Sequence, residues 1–104
     1  MIRKEIAKLI EKSIKELQKE KKLPRFKVPE ILVEEPGEKS HGDYSSNIAL
    51  LISKSAKQNP MDTAKIIAGP LDQSLFAKVE IAKPGFINFW IKSKFKNIIM
   101  FFRN

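Results

Sequence analysis

The 104-residue chain contains no cysteine and only one histidine, one tryptophan and one tyrosine. Without cysteine it can form neither a disulfide nor a thiolate metal site, and nothing in it points to an oxidising compartment. Glycine is sparse, with four residues, and neither an internal repeat nor a low-complexity segment is present. No run of about 18 apolar residues occurs, which argues against a membrane span. The first residues carry Glu5, Glu11 and Glu16 among the lysines. A secretory signal needs an uninterrupted apolar stretch and transit peptides avoid acids, so the expected location is the cytoplasm.

A hydrophobic share of 42 % beside 31 % charged residues is that of a soluble globular protein. The length suits a single domain, residues 1–104, with one modest core. It leaves no room for an enzyme with a separate substrate domain. Net charge is +8, distributed as +6 over residues 1–29, −3 over 30–77 and +5 over 78–104. Two basic ends around an acidic middle suggest a polyanionic partner, held through phosphate contacts and counterion release.

Ile2, Ile6, Leu9, Ile10, Ser13, Ile14 and Leu17 recur at the spacing of one helical face, which predicts a long amphipathic helix over 2–21. Lys4, Lys8, Lys12, Lys15, Lys19 and Lys22 form a band on its other side, either a solvated face eased by pairs such as Glu11 with Lys15 or a phosphate-contacting one. The interspersed glutamates and the lack of aromatics on the apolar face weigh against a membrane-surface helix. Pro24 is expected to end the helix. A strand is expected at Ile31 to Glu35, a turn at Pro36-Gly37, and a second strand at 38–42.

A second helix is expected over 46–58 with Ile48, Leu51, Ile52 and Ser55 inward. A third opens with Asn59 as its cap, Pro60 in its first turn and Asp62 near its positive end. Gly69-Pro70 breaks it, and 71–75 are expected to add a short helical turn. A last helix, Lys94 to Phe102, is capped by Ser93. Its apolar face is barely two turns long, as if cut from a longer polypeptide.

The most informative stretch is Val79 to Ile91, which reads as a complete β-hairpin. In its turn, Lys83-Pro84-Gly85-Phe86, Pro84 sets the second position and Gly85 accepts a positive φ at the third, as a type II turn requires. Beyond it, Ile87, Phe89 and Ile91 share one face of a strand and Phe86, Asn88 and Trp90 the other. The first set is core. The second is either packed under another layer, which leaves the Asn88 amide in need of partners, or open to a ligand. Flat rings flanking an amide are what RNA-base recognition uses.

His41-Gly42-Asp43 has the look of a catalytic or metal site. One histidine without cysteine is thin material for either, and Asp43, Ser45 or Ser46 as a helix N-cap accounts for the same residues, with Tyr44 packing back on the first turn. The element order, without any β-α-β unit, predicts an α+β two-layer domain: a small antiparallel sheet of three to four strands against helices.

Taken together, His41-Gly42-Asp43-Tyr44-Ser45-Ser46-Asn47-Ile48-Ala49 and Val79-Glu80-Ile81-Ala82-Lys83-Pro84-Gly85-Phe86-Ile87-Asn88-Phe89 closely resemble the N-terminal additional domain of arginyl-tRNA synthetases. The likeness covers nearly the whole chain, the Asn59-Pro60 helix start included. It implies a domain that docks on the elbow of arginine tRNA and contacts the D-loop. Phe86 would stack on a D-loop base, Asn88 would bond that base's edge, and Lys83 sits at a turn position that in some members also reaches the loop. Lys92 and Lys94 are candidate phosphate contacts. Trp90 is a stacking candidate from strand alternation alone.

The resemblance further implies a parent enzyme that uses ATP and Mg²⁺ to charge tRNA, through a catalytic domain of the same polypeptide. The His-x-Gly-His signature and the Lys-Met-Ser-Lys-Ser loop of that enzyme class do not occur in this sequence. This segment is therefore expected to bind and position without turnover. The rival readings are a docking scaffold within the parent, a generic RNA-binding module, and a hydrolase or metal enzyme built on His41 and Asp43.

Overall fold

Antiparallel pairing in the order β1-β3-β2 places one strand, β3 (Phe86–Ile91), at the centre of the molecule, between β1 (Tyr44–Ser46) and β2 (Phe76–Ala82). The computed structural model describes residues 2–96. Within them α1 (Ile2–Lys19), α2 (Ile48–Ala56) and α3 (Pro60–Ala68) form the second layer, α2 and α3 lying against the sheet and α1 against α3. The chain is thus an α+β domain with a three-stranded sheet. Residues 93–96 begin a further helical turn, and the rest of the helix expected to Phe102 lies outside the described residues.

The long apolar periodicity folds as read. Ile6, Ile10, Ser13, Ile14 and Leu17 of α1 are buried, and the Ser13 hydroxyl donates to the Ile67 carbonyl at 2.6 Å, tying α1 to α3. The helix ends before Pro24 is reached. Lys21 takes a left-handed conformation, its N–H donates to Gln18 O at 3.1 Å, and Lys22 N–H donates to Leu17 O at 2.8 Å. That pair of bonds satisfies the last carbonyls without proline.

Three expected elements change character, and the first, the short helical turn at 71–75, does not form. The strand foreseen at 31–35 reduces to one bridge, Glu34 with Ser45, because neighbouring residues find no partner backbone. The strand foreseen at 38–42 is a 3₁₀ turn at Lys39–His41. The strand that does form, β1, lies where a helix start was expected, so α2 begins at Ile48. Its buried stripe is Ile48, Ala49, Ile52 and Ala56, whereas Leu51 and Ser55 are exposed. Alanines on the stripe let α2 close on α3, a fit that the larger Leu51 would obstruct.

The start of α3 matches its expectation. Asn59 Oδ1 accepts from Asp62 N–H at 2.8 Å and Asn59 Nδ2 donates to Asp62 Oδ2 at 2.9 Å. Replacing Asn59 with alanine is expected to cost about 1 kcal/mol. That is a fall of roughly 4–8 °C in Tm for a domain of this size, readable by thermal circular dichroism.

The hairpin turn differs in type. Gly85 N–H donates to Ala82 O at 2.9 Å, and the Lys83–Pro84 peptide is cis, so the tight turn is Ala82-Lys83-Pro84-Gly85 and not type II. Gly85, at φ +150°, lies so close to the start of α3 that a Cβ there would come within 2.6 Å of Pro60 Cβ.

Candidate nucleic-acid interface

The His41–Asn47 segment holds the central strand. Gly42 has φ +94°, and a Cβ on it would fall 2.7 Å from the Phe89 carbonyl oxygen. Close approach brings Asp43 alongside β3: its N–H donates to Phe89 O at 2.8 Å, and its carboxylate accepts from Ile91 N–H at 2.8 Å. Lys96 completes the arrangement at 3.5 Å from the same carboxylate. Asp43 thus extends the ladder by one side chain. The Ser46 hydroxyl donates to Leu32 O at 2.8 Å and accepts from Ile48 N–H at 3.3 Å, so Ser46 alone among the three cap candidates reaches the first turn of α2. His41 is exposed, and no cluster of three potential metal ligands occurs among the described residues.

On β3 the alternation comes out as read. Ile87, Phe89 and Ile91 are buried toward the helices, and Phe89 stacks in a tilted pair with Phe76 at 4.8 Å between ring centres. Phe86 and Asn88 point to the other side, into a cleft of about 410 Å³. Its walls come from three places: Leu32, Glu34, Glu35, Pro36 and Gly37 on the connector, His41, Ser45 and Asn47 before and around β1, and Ala82 and Lys83 at the hairpin turn. The bridge at Glu34 holds the connector beside β1 at the edge of the sheet, from where it lines one side of the cleft.

The two candidate residues are differently placed. Phe86 is half-buried and lines the cleft. Asn88 is only 4 % exposed, so of the two arrangements open from the sequence the amide takes the packed one and does not stand free in water. Its Oδ1 accepts from the Ser45 hydroxyl at 2.8 Å, across a register that sets the two residues directly opposite each other. Among the described residues no acceptor takes its Nδ2 protons, and no buried side-chain nitrogen is left without a partner. Nδ2 therefore reaches the accessible wall of the cleft.

Charge around the cleft is mixed. Lys83 is exposed at its rim, while Glu34 and Glu35 present carboxylates that Arg3 of α1 meets at 3.9 and 3.8 Å. These pairs are solvent-screened and contribute little stability. Burial pushes the nearby Tyr44 hydroxyl above its usual titration range, with Arg3 opposing the shift and Asp43 adding to it.

The other candidates lie elsewhere. Trp90 lines a separate depression with Lys39, Gly42, Asp43 and Lys96, and Lys78 Nζ sits 4.5 Å from its ring centre. Lys92 is six residues beyond Phe86, about 20 Å along an extended strand. It and Lys94, whose ammonium lies 5.2 Å from the Phe95 ring, do not line the cleft. Asp72's carboxyl is held low chiefly by the Ser74 N–H, with smaller contributions from Lys12 and Lys92.

The family model described as the arginyl-tRNA synthetase N-terminal domain matches residues 4–91. The chain belongs to that family. Relatives include the arginine–tRNA ligases of Psychromonas ingrahamii, 44 % identical over 91 residues, and of Pseudomonas fluorescens, 48 % identical over 87. Those matches cover 86 % and 82 % of this chain but 16 % and 15 % of the relatives. The chain therefore spans about a sixth of their length. Among solved structures, arginyl-tRNA synthetase from Plasmodium falciparum aligns with a TM-score of 0.76 at 19 % identity, over 90 % of this chain and 16 % of that one. The Thermus thermophilus enzyme aligns at 0.67 and 18 %, over 90 % and 14 %. At such identities the likeness is one of fold.

For this arginyl-tRNA synthetase N-terminal domain the sequence reading missed Ser45 as Asn88's partner, and the connector 32–36 as the cleft's outer wall. Ser45 was within reach: had β1 been recognised, antiparallel pairing would have set a hydroxyl opposite the amide. The connector had no local signal, since its placement depends on one long-range bridge.

Proposed function

We propose that this domain serves an arginine–tRNA ligase as its tRNA-elbow module, holding the D-loop of arginine tRNA so that a catalytic domain of the same polypeptide can aminoacylate the other end. ATP and Mg²⁺ belong to that catalytic domain, and no residue of this chain is assigned to them. The observation that carries the reading is the joint presence of an aromatic ring, an amide and a lysine, Phe86, Asn88 and Lys83, around one open cleft. The ring supplies a stacking face, the amide a polar contact to a base edge, and the ammonium a phosphate contact. Lys92, Lys94 and the lysines of α1 lie off the cleft, where a tRNA docked by its loop offers its backbone.

A gel-shift titration of the ligase with arginine tRNA and with a D-loop-altered tRNA tests this reading. The expected result is a clear preference for the unaltered loop, reduced by Asn88→Ala. Equal affinity would favour a docking scaffold, and equal affinity with steep salt dependence a generic RNA-binding module. Lys83→Ala is expected to weaken binding to all tRNAs alike and to reduce the slope of log Kd against log salt by about one.

A further inference from the structure

The proposed function leaves Asp43 without a task, although its carboxylate is bound at the point where the chain leaves the sheet. Pairing of β1 with β3 ends at Tyr44, opposite Phe89, and the chain turns away at Gly42 with φ +94°. Beyond that pair the Asp43 carboxylate stands in for main chain, accepting the Ile91 N–H at 2.8 Å. The same oxygen lies 3.5 Å from Lys96 Nζ.

Other contacts hold the residues that follow. On the β2 side Lys92 N–H donates to Leu75 O at 3.1 Å, Phe95 N–H closes a turn on Lys92 O at 2.9 Å, and the half-buried Phe95 ring packs on the core. The exit of the chain over 91–96 is thus gripped from both sides of β3. Asp43 does not line the hairpin cleft, so its carboxylate serves the exit and not the surface around Phe86.

We infer that Asp43 is a positioning residue for aminoacylation: by clamping the end of β3 and the first turn after it, Asp43 sets the direction in which the polypeptide leaves the tRNA-holding domain. The family is one of N-terminal domains, so the catalytic domain of the proposed function lies downstream of that exit. A tRNA held by its loop brings its far end to the reacting groups only if the two domains keep a fixed relation, and small misplacements there cost rate steeply. The exposed pair with Lys96 contributes little by itself. The main tie is the charge-assisted bond from Ile91 N–H. This inference rests on the proposed function and adds to it the residue that carries the geometry from one domain to the other.

The test uses the full-length ligase, with single-turnover arginine transfer measured on whole arginine tRNA and on a minihelix of its acceptor arm, which has no D-loop for this domain to hold. Asp43→Ala is expected to lower the transfer rate to whole tRNA roughly three- to tenfold, the worth of one hydrogen bond. The Kd for whole tRNA and the rate on the minihelix are expected to stay within about twofold of the parent. Asp43→Asn keeps an oxygen that can accept the Ile91 N–H, and is expected to recover most of the loss.

A parental rate on whole tRNA in Asp43→Ala overturns the inference, as does an equal loss on the minihelix, which marks general damage. Should Asp43→Ala prove too unstable to hold tRNA, two glycines inserted between Lys96 and Asn97 replace it, leaving the sequence of residues 2–96 intact. A slower transfer at unchanged Kd in that variant supports the inference, and a parental rate overturns it. If the ligase shows no preference for the unaltered D-loop, the elbow-module reading falls. If it keeps the preference while Asp43→Ala charges whole tRNA at the parental rate, only the assignment of Asp43 falls.

Discussion

Replacing Phe86 with alanine in the full-length ligase is expected to weaken arginine-tRNA binding by roughly 5- to 150-fold, corresponding to the loss of about 1–3 kcal/mol of base stacking. The effect belongs to the cleft and not to the core. Phe86 is half-buried and its strand partner across the hairpin is Ala82, whereas Phe89 on the opposite face is fully buried among the helices. Phe86→Ala therefore removes a ring that a ligand can cover and leaves the sheet's packed side intact. Phe89→Ala is the matched control, expected to cost about 3–5 kcal/mol of stability as a core truncation. Affinity and melting temperature measured on both variants decide the matter. If Phe86→Ala loses stability as heavily as Phe89→Ala and gains no additional binding defect, the ring is structural and the stacking role falls.

The second large effect is expected at Gly42. Its backbone, φ +94° and ψ −170°, lies in a region that is essentially glycine-only and costs other residues about 1–3 kcal/mol. An added Cβ also meets Phe89 O at 2.7 Å and Trp90 Cδ2 at 3.2 Å. The first contact is main chain of the central strand, which cannot retreat without breaking the Asp43 N–H to Phe89 O bond. Gly42→Ala is expected to destabilise the domain by on the order of 3–5 kcal/mol, a drop in Tm of more than about 12 °C. Gly37 supplies the comparison: a Cβ there meets nothing within 4 Å, so Gly37→Ala is expected to stay within about 0.5 kcal/mol of the parent. Similar losses at the two positions would show that the approach of residue 42 to β3 is not what holds the strand.

Those two residues mark how far a single sequence could be read. Phe86 was legible because a strand of six alternating residues after a Pro-Gly turn fixes which side chains share a face. The apolar face of α1 was legible for a similar reason, since five turns of periodicity leave little choice. Gly42 was visible only as a letter in a motif. Its use lies in a contact with residue 89, and no local pattern reports a contact 47 positions away. β1 was hidden by length: three residues cannot show an alternation, and Tyr-Ser-Ser before an apolar run looks like a helix cap. The burial of Asn88 was hidden too. Alternation assigns a residue to a face, but whether that face is roofed depends on where Leu32–Pro36 come to rest, and Glu34 alone of that stretch pairs with the sheet.

The seating of Gly85 against Pro60 has its own consequence for recognition. Because the hairpin tip is lodged on the first turn of α3, the ring that follows it has little freedom to swing. On the reading proposed above, a nucleotide would find that ring already held in place. Little conformational entropy would then be spent on association, and a substitution that pries the tip loose from the helix is expected to lower affinity although it lies outside the cleft.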